Sequence, residues 1–317
     1  MSGVASALGI DVGGTKINGF RVARDGTVLR REAVATPAED AEEAMSATIA
    51  LARELADEDV VAIGVGAAGL VDANEGVLRF SPNLAWRELP IARRITDALG
   101  IPCQVDNDAN AAAWGEWRFG AGRGYRHMFL VTVGTGIGGG IVAGRRLFRG
   151  AHGFAAEVGH IIVEPGGPPC GCGNRGCWEQ VASGAAIGRL GREVAREHPR
   201  STLAGLAGGD PEAVTGVMVT AAAGQGDDLA IGILAEVGRR LGEGIAGFVN
   251  ALDPQVVVVG GGVAEAGDLI LAPARVAFEA SVEGVDHRPS VPIVAAQLGN
   301  DAGAIGAATL ALEELGA

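Results

Sequence analysis

Three apolar, β-rich segments of this chain each end in a cluster of glycines, and this pattern constrains the fold more than any other feature. The segments cover residues 8–12, 129–133 and 256–259, and a glycine follows each of them directly. Glycine accounts for 52 of the 317 residues, more than twice its share of about 7 % in average proteins. Because glycine adopts the positive φ angles of tight turns, each cluster predicts a turn at the end of a strand.

A second β-like segment follows the first two glycine clusters, at residues 17–22 and 140–147. Each half of the chain therefore contains a strand, a glycine turn and a returning strand. Such self-similarity predicts an internal duplication and two related domains.

Predicted helices between these strands indicate an α/β architecture. Apolar residues at helical spacing, with polar or acidic residues at the start, mark residues 38–55, 109–117, 225–250 and 302–315. A length of 317 residues suits two domains of about 150 residues each. We place a smaller domain at residues 1–117 plus 302–317, and a larger domain with a cysteine-rich loop at 118–301.

Composition excludes several classes of function. The net charge of −13 and the pI near 4.9 argue against binding to nucleic acid or to anionic lipid. The start of the chain has no signal-peptide pattern. The uncharged run at residues 128–144 is marginal in length for a membrane span, and six glycines interrupt it. We expect a cytoplasmic protein that contacts neither a membrane nor nucleic acid.

The glycine turns are candidate phosphate sites, because successive backbone N–H groups at such a turn form an anion-binding concavity. Asp11, at the end of the first strand, can hold Mg²⁺ through water. The second turn can contact phosphates from another side. The candidate phosphate-binding residues are Gly13, Gly14, Thr15, Lys16, Thr135 and Gly136.

Other nucleotide motifs fit less well. Residues 134–139 and 64–69 both match GxGxxG, but the dinucleotide fingerprint requires a helix after the glycines, and residues 140–147 predict a strand. The chain has no GxxxxGK[ST] motif. The alternative that the glycines only form tight hairpins stays open.

A metal centre is predicted by His160, Cys170, Cys172 and Cys177, which fall within eighteen positions of a loop rich in Gly and Pro. One imidazole and three thiolates are the ligand set of a closed tetrahedral zinc site. A disulfide would need an oxidising compartment, and unrelated cysteines beside a core histidine are the other alternative. Cys103 lies apart in an apolar run, and we expect a buried thiol there.

Polar residues at a predicted strand-to-helix junction point to chemistry on a polyol. Asp106, Asn107, Asp108 and Asn110 stand together, although a helix cap needs only one of them. Asn side chains both donate and accept hydrogen bonds, which suits hydroxyl groups. We expect Asp106 to be solvated or structural, and Asp108 to take the proton of an attacking alcohol.

Four of these motifs, in this order, resemble the ROK family of sugar kinases, and within it the actinobacterial-type glucokinases. The resemblance covers nearly all of the chain and rests on residues 11–16, 107–110, 157–160 and 170–179. It implies the hexokinase/actin-like superfold, in which two RNase H-like domains flank an interdomain cleft.

The resemblance also implies an activity, the transfer of the γ-phosphoryl group of Mg·ATP to the 6-hydroxyl of glucose, with Asp108 as the general base. His160 would serve both zinc and sugar, with one nitrogen for each. A structural Zn²⁺, Mg²⁺ with ATP, and a homodimer or homotetramer are expected. The implied sugar-binding residues are Asn83, Asn107, Asp108, Glu157, His160 and Glu179. The implied adenosine segment is Gly260, Gly261, Gly262 and Val263.

Several alternatives remain within the same resemblance. The sugar can be fructose, mannose or N-acetylmannosamine, and the donor can be polyphosphate, although the excess of acidic residues offers no basic track for it. A non-catalytic sugar sensor would be expected to lack the base, yet Asp108 is present. We expect no helix-turn-helix domain of a repressor, because the first phosphate motif begins at Asp11.

Overall fold

The structure is a computed structural model that describes residues 5–81 and 85–315. The strands are β1 Ser6–Val12, β2 Lys16–Ala23, β3 Val28–Ala35, β4 Val60–Ala67, β5 Leu70–Asp72, β6 Val77–Phe80, β7 Arg87–Leu89, β8 Cys103–Asn107, β9 Met128–Val133, β10 Ile137–Ala143, β11 Arg146–Leu147, β12 Val256–Gly260 and β13 Ile293–Ala295. The helices are α1 Ala41–Leu55, α2 Ile91–Leu99, α3 Asp108–Phe119, α4 Glu179–Ala182, α5 Gly184–Glu197, α6 Thr202–Leu206, α7 Gly216–Gly224, α8 Asp228–Leu252, α9 Asp268–Ser281 and α10 Ala302–Glu314.

Two five-stranded sheets have the same strand order. The first sheet runs β3-β2-β1-β4-β8 and the second β11-β10-β9-β12-β13. In each, a hairpin closes over a glycine turn, where Gly13 N–H donates to the Lys16 carbonyl (3.1 Å) and Gly134 N–H to the Gly136 carbonyl (3.0 Å). The repeated strand–turn–strand arrangement predicted for the two halves of the chain is therefore confirmed. A smaller sheet, β5-β6-β7, follows β4 in the chain.

The chain forms two compact units. One comprises Met1–Leu130, Gly139–Ala156 and Gln297–Ala317, and the other Val131–Gly138 and Glu157–Ala296. The domain boundaries proposed from the sequence stay a prediction.

In the first unit, α1 and α2 cover one face of the sheet and α10 packs on the other. Aliphatic residues such as Leu8, Ile10 and Leu51 are fully or almost fully buried on the α1 side. On the other face, the backbone of α10 packs directly against the backbone of the sheet. There is no room for a side chain at Gly64, because an added Cβ would be 1.9 Å from the Ala307 carbonyl oxygen. Cys103 is partly buried against this core, and burial raises the pKa of its thiol to about 12.

The predicted helices are confirmed with adjusted starts. α1 begins at Ala41 and not at residue 38, because the Asp40 carboxylate accepts from the N–H groups of Glu42 (2.8 Å) and Glu43 (3.0 Å) and so caps it. α8 likewise begins after its cap, Asp227. Strand β10, and not a helix, follows the glycines at 134–136, which rules against the dinucleotide fingerprint there.

No single helix among residues 5–81 and 85–315 has the length and hydropathy to cross a membrane. By length and composition alone, α7 and α8 pass that test only as a pair bent by 118°.

Candidate active site and metal centre

Two carboxylates meet at one edge of the first sheet. Asp11 lies near the end of β1, and Asp108 is the first residue of α3, directly after β8. Since β1, β4 and β8 run parallel, their carboxyl ends meet at the same edge, where ligands bind in open α/β sheets. Gly66 on β4 lies between the two residues. A Cβ atom built on this glycine would be in van der Waals contact with both, at 3.5 Å from the Asp108 Cα and 3.9 Å from Asp11 Oδ1.

The surroundings of this pair make both carboxyls harder to ionise. Burial, and then the nearby Asp108 carboxylate, raises the pKa of Asp11 to about 7, although a hydrogen bond with Asn18 opposes the rise. Burial also raises the pKa of Asp108, although a hydrogen bond from the Ala109 N–H opposes the rise. Carboxyls with pKa values shifted toward neutrality are typical of groups that accept and release protons in a reaction.

The residues before Asp108 hold the start of α3 in place. Asn107 is its cap, with Oδ1 accepting from Ala109 N–H (2.9 Å) and Asn110 N–H (3.1 Å), and its Nδ2 donates to the Gly69 carbonyl (3.1 Å). One N–H of that amide remains for a ligand. Asp106 is buried and accepts from Arg149 Nε (2.6 Å) and Asn110 Nδ2 (3.0 Å). Asp106 is therefore structural, one of the two outcomes expected from the sequence.

In the second unit, the turn between β9 and β10 lies beside Glu179. A Cβ on Gly136 would stand 2.4 Å from Glu179 Oε2. The first residues of α5 bind the same turn, since Gly184 N–H donates to the Gly134 carbonyl (2.8 Å). Gly184 also faces the end of the Gly260–Val263 segment, because its added Cβ would lie 3.3 Å from Val263 Cγ2. The structure thus brings together three predicted segments that are distant in the sequence.

The metal-ligand tetrad is assembled as the spacing predicts. The four ligand atoms of His160, Cys170, Cys172 and Cys177 all lie within 4.8 Å of one another. Cys170 Sγ is 3.6 Å from His160 Nδ1, and the Sγ atoms of Cys172 and Cys177 are 3.6 Å apart. A tetrahedral ion with metal–sulfur bonds of about 2.3 Å separates its ligand atoms by about 3.7 Å. The cluster can therefore hold a metal ion, and its cysteines are free thiols and not a disulfide.

The metal loop is continuous with the predicted sugar-binding residues. Glu179 Oε1 lies 3.0 Å from Cys170 Sγ and 3.7 Å from His160 Nδ1. Glu157 directly precedes the short turn Val158–His160. Between the last ligand and Glu179, the fully buried Trp178 donates from Nε1 to the Arg240 carbonyl on α8 (3.1 Å). Metal ligands, two carboxylates and a buried anchor thus form one local structure.

Sequence reasoning missed the residues that complete the surroundings of Asp11. A cavity of about 540 Å³ lies beside Asp11 and Lys16 and is also lined by Asn18, Arg31 and Asp301. Strand alternation is the signal for Asn18, which pairs with Asp11 across the β1–β2 hairpin and so shares its face of the sheet. Asn83, a predicted sugar-binding residue, lies outside the described residues.

The raised pKa of Asp11 predicts a pH-dependent gain of stability on its removal. The folded state binds the Asp11 proton more tightly than the unfolded chain, so the contribution of Asp11 to stability falls as the pH rises from about 4 toward 7. Asp11→Asn should therefore raise the free energy of unfolding by about 2 kcal/mol at pH 8, measured without Mg²⁺ and ATP and after allowance for the partial exposure of Asp11. At pH 4 it should change little. Denaturant unfolding at both pH values measures the difference.

Asp25 provides the matched control, because the backbone N–H of Thr27 lowers the pKa of this exposed carboxyl. Asp25→Asn should give no gain at pH 8. An Asp11→Asn gain of equal size at both pH values would contradict the titration argument.

Two five-stranded sheets of matching strand order, each with a glycine turn closing a hairpin, are typical of the hexokinase/actin-like class of fold. A family model described as the ROK family matches residues 7–314. The chain belongs to the ROK family. It is 43 % identical to a glucokinase of Streptomyces coelicolor, covering 96 % of this chain and 97 % of that one. It is 38 % identical to a glucokinase of Thermotoga maritima, covering 98 % of both.

A solved structure is also similar over the whole chain. It is a ROK family glucokinase from Streptomyces griseus in complex with glucose and AMPPNP, with 44 % identity and a TM-score of 0.89. The similarity covers 97 % of this chain and 99 % of that one. The predicted family and fold class are confirmed.

Proposed function

We propose that this protein is an ATP-dependent glucokinase, which transfers the γ-phosphoryl group of Mg·ATP to the 6-hydroxyl of glucose. The observation that carries the proposal is the placement of Asp108 beside Asp11, at the sheet edge where the first glycine turn begins. A carboxyl of raised pKa stands there next to a backbone anion site. The full-length similarity to glucokinases supports the choice of sugar.

Asp108 acts as the general base in this proposal. The sugar O6 attacks the γ-phosphorus, the bond from that phosphorus to the bridging oxygen breaks, and ADP leaves with the oxygen. The Asp108 carboxylate accepts the O6 proton during the attack. Its own position is fixed by the start of α3, where Oδ1 accepts from Ala109 N–H (2.9 Å).

The other assignments follow the chemistry of each group. Phosphate oxygens accept hydrogen bonds from the backbone N–H groups of Gly14, Thr15, Thr135 and Gly136 and from the Lys16 ammonium. Gly13, whose own N–H donates to the Lys16 carbonyl, closes the turn that presents these donors. Adenosine lies on Gly260, Gly261, Gly262 and Val263. Asp11 would hold Mg²⁺ through water, and the ion would supply positive charge to the phosphates.

Sugar hydroxyls are bound by the remaining N–H of Asn107, by Glu157, His160 and Glu179, and by Asn83. The metal at the tetrad is a structural Zn²⁺. His160 turns Nδ1 toward the thiols, which leaves Nε2 for the sugar and fixes the tautomer.

ADP release from Mg·ATP, measured with purified protein across a panel of hexoses, tests the proposal. Turnover on glucose in clear excess over fructose, mannose and N-acetylmannosamine supports it. Activity on a different hexose alone overturns the assignment of the sugar, and no turnover with any hexose overturns the kinase assignment. Polyphosphate, tried as the donor in the same assay, should support little turnover.

Two finer assignments belong to the same proposal. Free thiols in the metal loop suit a reducing compartment, so we place the enzyme in the cytoplasm. We assign it a homodimeric or homotetrameric state, which light scattering of the purified protein measures.

Lys16 offers a direct test of the phosphate site, because it is the only lysine among the 25 basic Lys and Arg residues of the chain. It is exposed and has no ion-pair partner among the residues that the structure describes. Acetylation with an amine-reactive reagent should therefore modify Lys16 and the N-terminus alone, and should reduce kcat/KM for ATP by at least about tenfold. Peptide mass spectrometry and the kinase assay measure both quantities.

Mg·ATP should slow the modification of Lys16, whereas Mg²⁺ alone should not, and the N-terminal amine is the internal reference in both samples. Complete acetylation of Lys16 with unchanged kinetics would remove this residue from the phosphate site.

A further inference from the structure

Glu116 is a buried carboxylate on α3. Its side chain lies on α3 with no exposed surface, and it forms no ion pair within residues 5–81 and 85–315. It accepts instead from three backbone N–H groups, those of Ala121 (2.8 Å), Gln297 (3.1 Å) and Leu298 (2.6 Å). Since burying a carboxylate is costly unless hydrogen bonds compensate, this arrangement points to a role that a simple apolar side chain does not fill.

Two of the three donors belong to the segment that leads into α10. Gln297 and Leu298 precede the short turn Gly299–Asp301, and α10 begins directly after it. Asp301 lines the cavity beside Asp11 and Lys16. Glu116 therefore fixes the entry to α10 from a position on α3, across 181 residues of sequence.

α10 and α3 are in direct backbone contact near this point. A Cβ on Gly306 would stand 1.7 Å from the Ala111 carbonyl oxygen. At the start of α10, a Cβ on Gly303 would lie 3.1 Å from Asp11 Cγ. A shift of α10 along α3 would therefore move the backbone that packs on the Asp11 carboxyl.

We infer that Glu116 is a positioning residue for phosphoryl transfer, which sets the spacing between the Asp11 and Asp108 carboxylates by fixing the entry to α10 against α3. The inference rests on the proposed function. Asp108 is the first residue of α3, and Glu116 lies two turns further along the same helix, about 12 Å away at 1.5 Å per residue. Glu116 acts through the backbone of α10 and touches neither substrate.

Glu116→Gln tests the role with little change in shape. The amide keeps the side-chain volume but replaces one acceptor oxygen by a donor, which faces a backbone N–H. We expect kcat to fall by about 10- to 100-fold while the KM values for glucose and ATP change by less than about threefold, because misplacement of a reacting group by about 1 Å costs this much. Amide hydrogen exchange at residues 297–303 should become faster in the same variant.

Glu313→Gln is the matched control. Glu313 on α10 also pairs with α3, through Arg118 Nη2 (2.8 Å), but both side chains are more than a third exposed. Exposed pairs of this kind contribute at most about 1 kcal/mol, so its kcat should stay at the wild-type value. Equal losses in both variants would mean that any α3–α10 contact suffices, which overturns the specific role of Glu116.

Glu116→Asp is the second variant, since it keeps the carboxylate but shortens the side chain by one methylene. It should lose kcat as Glu116→Gln does. Wild-type kcat per folded molecule in Glu116→Gln, with the folded fraction measured by circular dichroism, overturns the inference. A wild-type enzyme without turnover on any hexose rejects the proposed function instead, so the two failures are distinguishable.

Discussion

Asp108→Asn is expected to lower kcat for glucose phosphorylation by at least about 10³-fold and to leave the Kd for glucose within about threefold of the wild type. General-base catalysis contributes about 10²- to 10⁴-fold, and asparagine cannot take the O6 proton. The amide retains an oxygen for the Ala109 N–H that Asp108 Oδ1 now accepts (2.9 Å), so the start of α3 should persist. ADP release and calorimetric titration with glucose measure the two quantities.

The neighbouring carboxylate supplies the control for this substitution. Asp106→Asn makes the same chemical change two residues earlier, but it removes the buried partner of Arg149. Because Arg149 is partly exposed and keeps its contact with Glu314, the cost should be below the about 3–5 kcal/mol of a fully buried pair. The melting temperature should still fall in this variant and not in Asp108→Asn. Substantial turnover by folded Asp108→Asn would remove Asp108 as the base.

Features encoded by neighbouring residues were predictable from the sequence. Each hairpin turn, such as that at Gly13-Gly14, is marked by an aliphatic run and the glycines that end it. The metal tetrad is equally local, because eighteen consecutive positions contain all four ligands. The starts of α1 and α8 were missed by three residues each, since side-chain capping by Asp40 and Asp227 decides where a helix begins.

The rest depends on contacts between distant segments, which a periodic pattern does not encode. The neighbourhood of Asp11 and Asp108 requires β4 to pair with both β1 and β8. The Asn107 side chain is held by a hydrogen bond to the Gly69 carbonyl, and no local sequence pattern predicts that bond. Glu116 illustrates the same limit. From the sequence it is an ordinary acidic helix residue, and only the folded chain shows that Gln297 and Leu298, far away in sequence, donate hydrogen bonds to it.

Cys172→Ser is expected to release the metal and to weaken glucose binding by about tenfold or more. Serine is a poor zinc ligand at neutral pH, because Zn²⁺ binds the cysteine thiolate whereas the serine hydroxyl stays protonated. Cys172 is the exposed cysteine of the cluster, so its replacement costs little packing. The effect should reach the sugar through Glu179, whose Oε1 lies 3.0 Å from Cys170 Sγ. Atomic absorption measures metal content, and calorimetry measures the glucose Kd.

Cys103→Ser is the matched control, because the same exchange at a cysteine outside the cluster should leave both the metal content and the glucose Kd unchanged. Unchanged metal content in Cys172→Ser would refute the tetrad as a metal site. Loss of the metal with an unchanged glucose Kd would support the tetrad as a metal site but show that sugar binding does not depend on the metal. In that case Glu179 would be held by its contact with the Gly136 turn and not by the metal loop.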